Sequence, residues 1–217
     1  MSKGFWGVVV GIILVFIGII AINSGGDKTD KSKSSKSDVV LSQHIKGKGT
    51  TNVTLVEYGD YQCPYCQQYE ATVEAVIAKY GDQIKFQFRN FPISSAHPNA
   101  FAAARAAEAA DQQGKFWEMH DLLYATQNYQ VWTRETDPNV TFQRYAKLIG
   151  LNVAKFKTDF ASSKVNNIIN ADLAEGTKLN VTGTPSFFLN GKKIEITNTI
   201  EAFEKIINQA IAKQKPA

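Results

Sequence analysis

The sequence predicts a mixed α/β domain in the order β-α-β, helical insertion, β-β-α, set behind an apolar N-terminal segment and a polar linker. Three observations predict it. Val53 to Tyr58 (VTLVEY) and Ile84 to Phe91 (IKFQFRNF) are β-branched and aromatic runs of strand length on either side of one amphipathic stripe. From Asn99 to Leu179 the apolar spacing is helical. Near the C-terminus Asn190-Gly191 separates two short apolar runs, the strongest short-range signal for a β-hairpin.

The elements follow in chain order. After a four-residue tail, Phe5 to Ile22 (FWGVVVGIILVFIGIIAI) is uncharged. Its length, about 18 residues, is near the lower limit for a helix crossing a bilayer core, and Trp6 suits the headgroup boundary. We read residues 5–22 as a membrane anchor. One rival reading is a removed signal peptide, against which AINSGG offers no small-x-small cleavage site; a buried core helix is the other. No cysteine follows the segment, which excludes lipoprotein processing. Residues 23–38, NSGGDKTDKSKSSKSD, have too little apolar surface to fold and form a solvated linker. As a flexible coil it spans about 20 Å root-mean-square. Residues 39–217 form the domain.

In that domain the strand at Val53 is followed by a helix from Cys66 to Tyr80, with Tyr69, Val73, Val76 and Ile77 on one stripe and Gly81 as its stop. The insertion, about residues 97–180, holds an alanine-rich helix from Asn99 to Gln113, amphipathic helices Phe116 to Ala125, Thr141 to Ile149 and Val153 to Phe160, and a last one from Ile168 to Leu179. Ser186 to Leu189 and Lys193 to Ile196 make the hairpin. Asn198, with Glu201 three residues on, opens a final helix whose Phe203, Ile206, Ile207 and Ile211 share a face.

Composition narrows the function. With 44% hydrophobic and 11% aromatic residues, the 217-residue chain fills a globular core and is neither wholly disordered nor collagen-like. The net charge is +4; the first 38 residues hold five lysines and three aspartates, and subtracting these from 24 basic and 20 acidic residues leaves 19 and 17. A body so near neutral gives no electrostatic reason to expect a nucleic-acid partner. There are two cysteines, Cys63 and Cys66, which excludes a structural disulfide framework.

Cys63-Pro64-Tyr65-Cys66 lies where a strand gives way to a helix. A thiolate at a helix N-terminus faces unpaired N–H groups and the positive end of the macrodipole, so its pKa falls. Pro64 fits the first helical position, which needs no N–H. The two-residue spacer brings both sulfurs within bonding reach, with Cys63 at the exposed end as the reacting sulfur and Cys66 one turn inside as the resolving one. Two bland readings stand beside this: inert structural cysteines, and half of a zinc site, for which His44, His97 and His120 supply no paired spacing. His97 and His120 fall in segments expected to be helical and read as packing or capping groups. Phe116, Trp117 and Trp132 read as core or groove wall.

TLVEYGDYQCPYC, HPNAFAAARAAEAADQQGKFWEMHDLLY and VTGTPSFFLNG, in this order, resemble the DsbA-like thiol:disulfide oxidoreductases over roughly Val39 to Ala212. The resemblance implies a thioredoxin fold with a helical insertion, often exported or membrane-tethered, working without a cofactor or metal. It places a cis-proline at Thr184-Pro185, beside the cysteines, where a substrate segment pairs as an added strand; an ordinary trans proline opening an edge strand is the alternative. Pro64, Tyr65, Thr184 and Pro185 are then the candidate substrate-binding residues. The resemblance also places an acidic residue six positions before the first cysteine, which is Glu57 here. Strand alternation puts Glu57 on the face of Val53 and Leu55, where a buried carboxyl of raised pKa can exchange a proton with Cys66; a solvent-facing strand glutamate is the alternative.

The implied reaction is disulfide donation. A thiolate of an exported substrate protein attacks Cys63, a second displaces it, and the enzyme is left as a dithiol. A quinone-linked membrane oxidase is the implied electron acceptor, with the domain on the extracytoplasmic side of the membrane. The flanking charges vote the other way, with four linker lysines against Lys3, although long domains translocate largely regardless of such charge. Two other functions fit the residues: a reductase or isomerase using the same pair as dithiol, and a non-catalytic, membrane-tethered holdase.

Overall fold

The computed structural model describes residues 40–214. The expected anchor at 5–22 and linker at 23–38 lie outside these residues. No described helix is long and apolar enough to cross a membrane.

Five strands form one mixed sheet: β1 (His44–Lys46), β2 (Val53–Gly59), β3 (Ile84–Asn90), β4 (Ser186–Leu189) and β5 (Lys192–Ile194), in spatial order β1-β3-β2-β4-β5. β2 and β3 run parallel, and the other neighbours are antiparallel. The central strand β2 is covered on both faces. Val53, Leu55 and Glu57 are buried on one side with Phe86, Phe88 and Phe187; Tyr58 packs on the other with Phe91, Val181 and Phe188. In register Glu57 stands opposite Phe88 on β3 and Phe187 on β4, so its carboxyl enters an aromatic layer.

Helix α1 (Pro64–Tyr80) buries Cys66, Val73, Val76 and Tyr80 against the first face. Pro64 takes the first helical position, as expected, with Cys63 as N-cap, so the helix starts two residues ahead of the apolar stripe read from Cys66. The insertion is α2 (Ala100–Asp111), α3 (Phe116–Tyr124), α4 (Thr126–Trp132), α5 (Asn139–Leu148), α6 (Val153–Phe160) and α7 (Ser163–Lys178). Alanines dominate the buried side of α2, and their small volume lets neighbouring helices approach. Gly176 on α7 lets that helix lie close to the sheet: a Cβ would come within 2.7 Å of the Phe91 ring. α8 (Ile200–Gln214) covers the sheet with Phe203, Ile207 and Ile211.

Several expectations need correction. β1 was not expected, since three residues carry no readable period. α4 is a separate seven-residue helix that short periodicity does not mark; its Trp132 is core, one of the two places expected for it, with Nε1 donating to the Leu123 carbonyl at 2.9 Å. α7 begins at Ser163, not Ile168, because the Ser162 hydroxyl accepts from the Val165 N–H at 3.2 Å. Thr199, not Asn198, caps α8 through the Ala202 N–H at 3.3 Å; Asn198 instead donates its amide to the Gln68 carbonyl at 2.9 Å. His97 lies in a loop, not a helix. The hairpin has its expected turn, with Asn190 and Gly191 at φ 50° and 77°, as the primed turn requires.

One buried carboxylate ties the insertion to the sheet. Asp172 of α7 accepts from the Ser42 hydroxyl at 2.6 Å, the Ser42 N–H at 3.1 Å, the Asn90 N–H at 3.0 Å and Arg89 Nη1 at 3.1 Å. Removing it leaves the Arg89 charge buried without its closest partner. Asp172→Ala is therefore expected to lower unfolding free energy by about 3–5 kcal/mol, measured by urea denaturation; a loss below about 1 kcal/mol would show the network to be incidental.

Candidate active site

Cys63 closes the loop after β2. Its N–H donates to the Asp60 carbonyl at 3.0 Å, and its own carbonyl accepts from the Gln67 N–H at 3.1 Å, the first turn of α1. The Asp60 carboxylate holds that loop from inside, accepting from the N–H groups of Gln62 and Ile93, each at 2.8 Å, and lying 2.7 Å from His97 Nδ1. The Asp60 N–H points at Cys66 Sγ, 3.5 Å away.

Across from the cysteines, the Thr184–Pro185 bond is cis. The Cys63 thiol donates to the Thr184 carbonyl at 3.3 Å, which places the loop before β4 directly over that sulfur. Both cysteines are free thiols. Cys63 was expected at an exposed end; instead it is 4% exposed, against 1% for Cys66, because the Thr184 loop covers it. Tyr65, between them, is 64% exposed. A groove of about 400 Å³ opens beside the pair, lined by Tyr65, Tyr69, Thr184, Pro185, Phe187 and Ile194 among others. It brings together Tyr65, Thr184 and Pro185; Pro64 is not among its lining residues.

The two sulfurs differ in ionisation. Cys63 is lowered to about 5, chiefly because the Cys66 thiol hydrogen-bonds to the Cys63 thiolate; burial opposes this, and the Thr184 side chain and the N–H groups of Cys66 and Tyr65 add to it. The helix amides thus contribute as expected, but less than the neighbouring thiol. Burial, the hydrogen bond to Cys63 and the nearby Glu57 and Cys63 charges push Cys66 well above the ordinary thiol value. Glu57 is 3% exposed. Burial, then the Glu70 and Cys63 charges, raise its carboxyl well above the usual range, which favours its protonated form. Gly59 makes room for this arrangement: a Cβ there would collide with the Phe88 ring and lie 3.3 Å from Glu57 Oε1.

Beneath the pair stand groups that motif reading passed over. Tyr61 Oη lies 3.0 Å from His120 Nδ1, and His120 Nε2 lies 3.4 Å from Glu70 Oε1. Glu70 follows Cys66 by one helical turn, a spacing that could have drawn attention to it. Ligand atoms of Glu70, His120 and Asp121 lie within 4.8 Å of one another. The cation facing these carboxylates is Lys46, 3.8 Å from Asp121 and 2.7 Å from Glu74. The three histidines are engaged away from the cysteines: His44 with Glu108, His97 with Asp60 and His120 with Tyr61.

A thioredoxin family model matches residues 40–209. The chain belongs to the thioredoxin family. It is 26% identical to a thioredoxin-like oxidoreductase from Silicibacter pomeroyi DSS-3, with a TM-score of 0.64 over 79% of this chain and 92% of that one. For oxidised BdbD of Bacillus subtilis the identity is 24% and the TM-score 0.68, over 78% and 93% of the two chains. For alpha-DsbA1 of Wolbachia pipientis they are 19% and 0.68, over 81% and 95%. The last two likenesses show the fold. Among curated relatives, the Na(+)/H(+) antiporter NhaA 1 of Mycolicibacterium gilvum is 38% identical over 152 residues, 69% of this chain and 24% of that protein. NhaA of Herminiimonas arsenicoxydans is 33% identical over 70% of this chain and 23% of its own length. The chain spans about a quarter of the length of these curated relatives, and antiport is the activity those longer proteins are named for.

In this family member the low Cys63 value makes the reduced protein pH-sensitive. A folded-state value below the ordinary thiol value stabilises the reduced fold above that ordinary value, and the stabilisation is lost as pH falls through about 5. Titrated by ultraviolet thiolate absorbance, Cys63 is expected to ionise near pH 5. Cys66→Ala, which removes the hydrogen-bond donor, should raise that midpoint by about one unit or more. An unchanged midpoint in the variant would assign the effect to the helix amides alone.

Proposed function

We propose that this oxidoreductase works as an oxidase, donating the Cys63–Cys66 disulfide to cysteine pairs of exported proteins. The observation that carries this is the difference between the two thiols, one lowered to about 5 and the other pushed well above the ordinary value. A stabilised thiolate is a good leaving group and favours the dithiol over the disulfide, so the bridge is readily given away.

The reaction balances over two substrate thiols. A substrate thiolate attacks Cys63 Sγ, the Cys63–Cys66 bond breaks, and its electron pair goes to Cys66. Cys66 takes a proton from the Glu57 carboxyl, because a buried thiolate is costly there. The second substrate thiolate then attacks the substrate sulfur of the mixed disulfide and expels Cys63 as thiolate. The substrate leaves oxidised by two electrons, and the enzyme holds them as a dithiol until an acceptor removes them. A quinone-linked membrane oxidase is the proposed acceptor. The substrate chain is proposed to lie in the groove lined by Tyr65, Thr184 and Pro185, its backbone pairing beside the loop before β4, with Pro64 bordering it.

The apolar stretch at 5–22 supports a single-pass anchor, and the polar linker at 23–38 a domain held near the extracytoplasmic face of the membrane. Rapid acid trapping of thiols in intact cells tests the direction. The pair is expected mostly as disulfide; a mostly dithiol population would assign the same site to reduction or isomerisation. A membrane-impermeant thiol reagent in the same cells should reach the reduced pair, and failure to reach it would place the domain on the other side.

Two variants test the roles. Cys66→Ala should accumulate mixed disulfides through Cys63, visible as reducible adducts on a non-reducing gel. Cys63→Ser should abolish both adducts and activity, whereas full retention of function would favour a holdase. Glu57→Gln removes the proton donor and should slow reaction with a dithiol substrate by about tenfold or more at neutral pH. An unchanged rate would remove Glu57 from the mechanism.

A further inference from the structure

The proton that Glu57 gives to Cys66 must be replaced, and Glu57 sits in a layer closed by Phe88 and Phe187. A polar path leads out of that layer on the side of α3. His120 is 2% exposed and ringed by aromatic side chains: Phe88, Trp117 and Tyr124 have ring centroids 4.9, 5.1 and 5.1 Å from it, and Tyr61 stands at 5.5 Å. Amid this apolar packing both ring nitrogens face oxygen. Nδ1 meets the Tyr61 hydroxyl at 3.0 Å, and Nε2 meets the Glu70 carboxylate at 3.4 Å. A buried imidazole with both nitrogens so placed accepts a proton at one and releases it at the other.

Both ends of the path are occupied by suitable groups. On the outer side Glu70 lines an open cleft of about 310 Å³ with Glu74, Asp121 and Tyr124. Burial works to raise Glu70, but His120 and Lys46 together hold its carboxyl below the ordinary range, so it is an ionised acceptor beside solvent. On the inner side the Tyr124 hydroxyl is buried and has no hydrogen-bond partner among the described residues. An unpaired hydroxyl in such a place costs stability unless a water or a passing proton uses it. The Cys66 and Glu57 charges both bear on this hydroxyl, as does Glu70, which sets it between the reacting pocket and the cleft.

We propose that His120, flanked by Tyr61 and Glu70 and linked inward through the Tyr124 hydroxyl, carries protons between the cleft and the sealed Glu57–Cys66 pocket. His120 touches no reacting atom; it acts by resetting Glu57 after each turnover. When Cys66 takes the Glu57 proton, one proton enters from solvent at Glu70, passes His120 and restores the Glu57 carboxyl. When an acceptor reoxidises the pair, Glu57 first releases its proton outward along the path and its carboxylate then takes the Cys66 proton. The electrons move only between sulfurs. The proposal rests on the disulfide-exchange reading of the site.

The test is repeated turnover of the full-length protein, oxidising dithiothreitol with excess oxidised glutathione as acceptor and corrected for the uncatalysed rate, in ordinary and heavy water, for wild type and His120→Phe. Phe keeps a ring inside the aromatic cage and removes both nitrogens. The variant is expected to react about tenfold more slowly, with a larger solvent isotope effect and partial rescue by added imidazole entering at the cleft. Its equilibrium redox potential should stay unchanged, which a general structural disturbance would not allow. Tyr61→Phe deletes one oxygen and serves if the histidine variant fails to fold; it should slow the step about threefold and raise the isotope effect. Wild-type rates and isotope effects in a folded variant would overturn the relay. A wild-type protein that does not exchange with dithiothreitol at all would instead overturn the disulfide-exchange reading.

Discussion

The hydrogen bond from the Cys66 thiol to the Cys63 thiolate is the interaction on which the rest of the site depends. It works only if one sulfur stays a thiol while its neighbour ionises, and the fold enforces that division. Cys63 caps a helix, with the N–H groups of Tyr65 and Cys66 turned toward it. Cys66, one turn inside, is sealed against the sheet at 1% exposure, where a charge is expensive. Two sulfurs of the same kind therefore hold opposite protonation states at neutral pH, and their bridge sits under a standing bias toward opening.

That bias is built from the sheet outward. β2 lies between β3 and β4, so Glu57 is fixed under α1 by neighbours on both sides. The Asp60 carboxylate pins the intervening loop to Gln62, Ile93 and His97, and so sets where α1 begins. The loop before β4 lies over Cys63 from the opposite direction. Moving any of these shifts a donor to a sulfur by a fraction of an ångström, which is enough to weaken a hydrogen bond to a thiolate. The insertion adds a wall of aromatic rings behind the pocket, so proton supply becomes a separate structural problem from electron transfer.

The fold and the reacting pair were legible in the sequence because each rests on a local pattern. The strands at Val53 and Ile84, the Asn190-Gly191 hairpin and the stripe of α1 all appear where their periods place them. What escaped was set by tertiary contact. β1 is three residues held by pairing to β3, and α4 is too short to show a period. Thr199 rather than Asn198 caps α8 because Asn198 is drawn to Gln68 by the packing of α8 against α1. Asp60 stood in the DYQC run, yet its role depends on Ile93 and His97, over thirty residues away. His120 looked like a packing residue, and it does pack; that its nitrogens both meet oxygen follows from helices brought together across the insertion.

If the dithiol is favoured because the Cys63 thiolate is stabilised, the protein must be more stable without its disulfide than with it, the reverse of an ordinary cross-link. Urea unfolding of the oxidised and reduced forms at pH 7, in parallel, measures this directly. The account predicts a higher midpoint for the reduced form. A higher midpoint for the oxidised form would mean that the bridge is held rather than given away, and would contradict the account at its base.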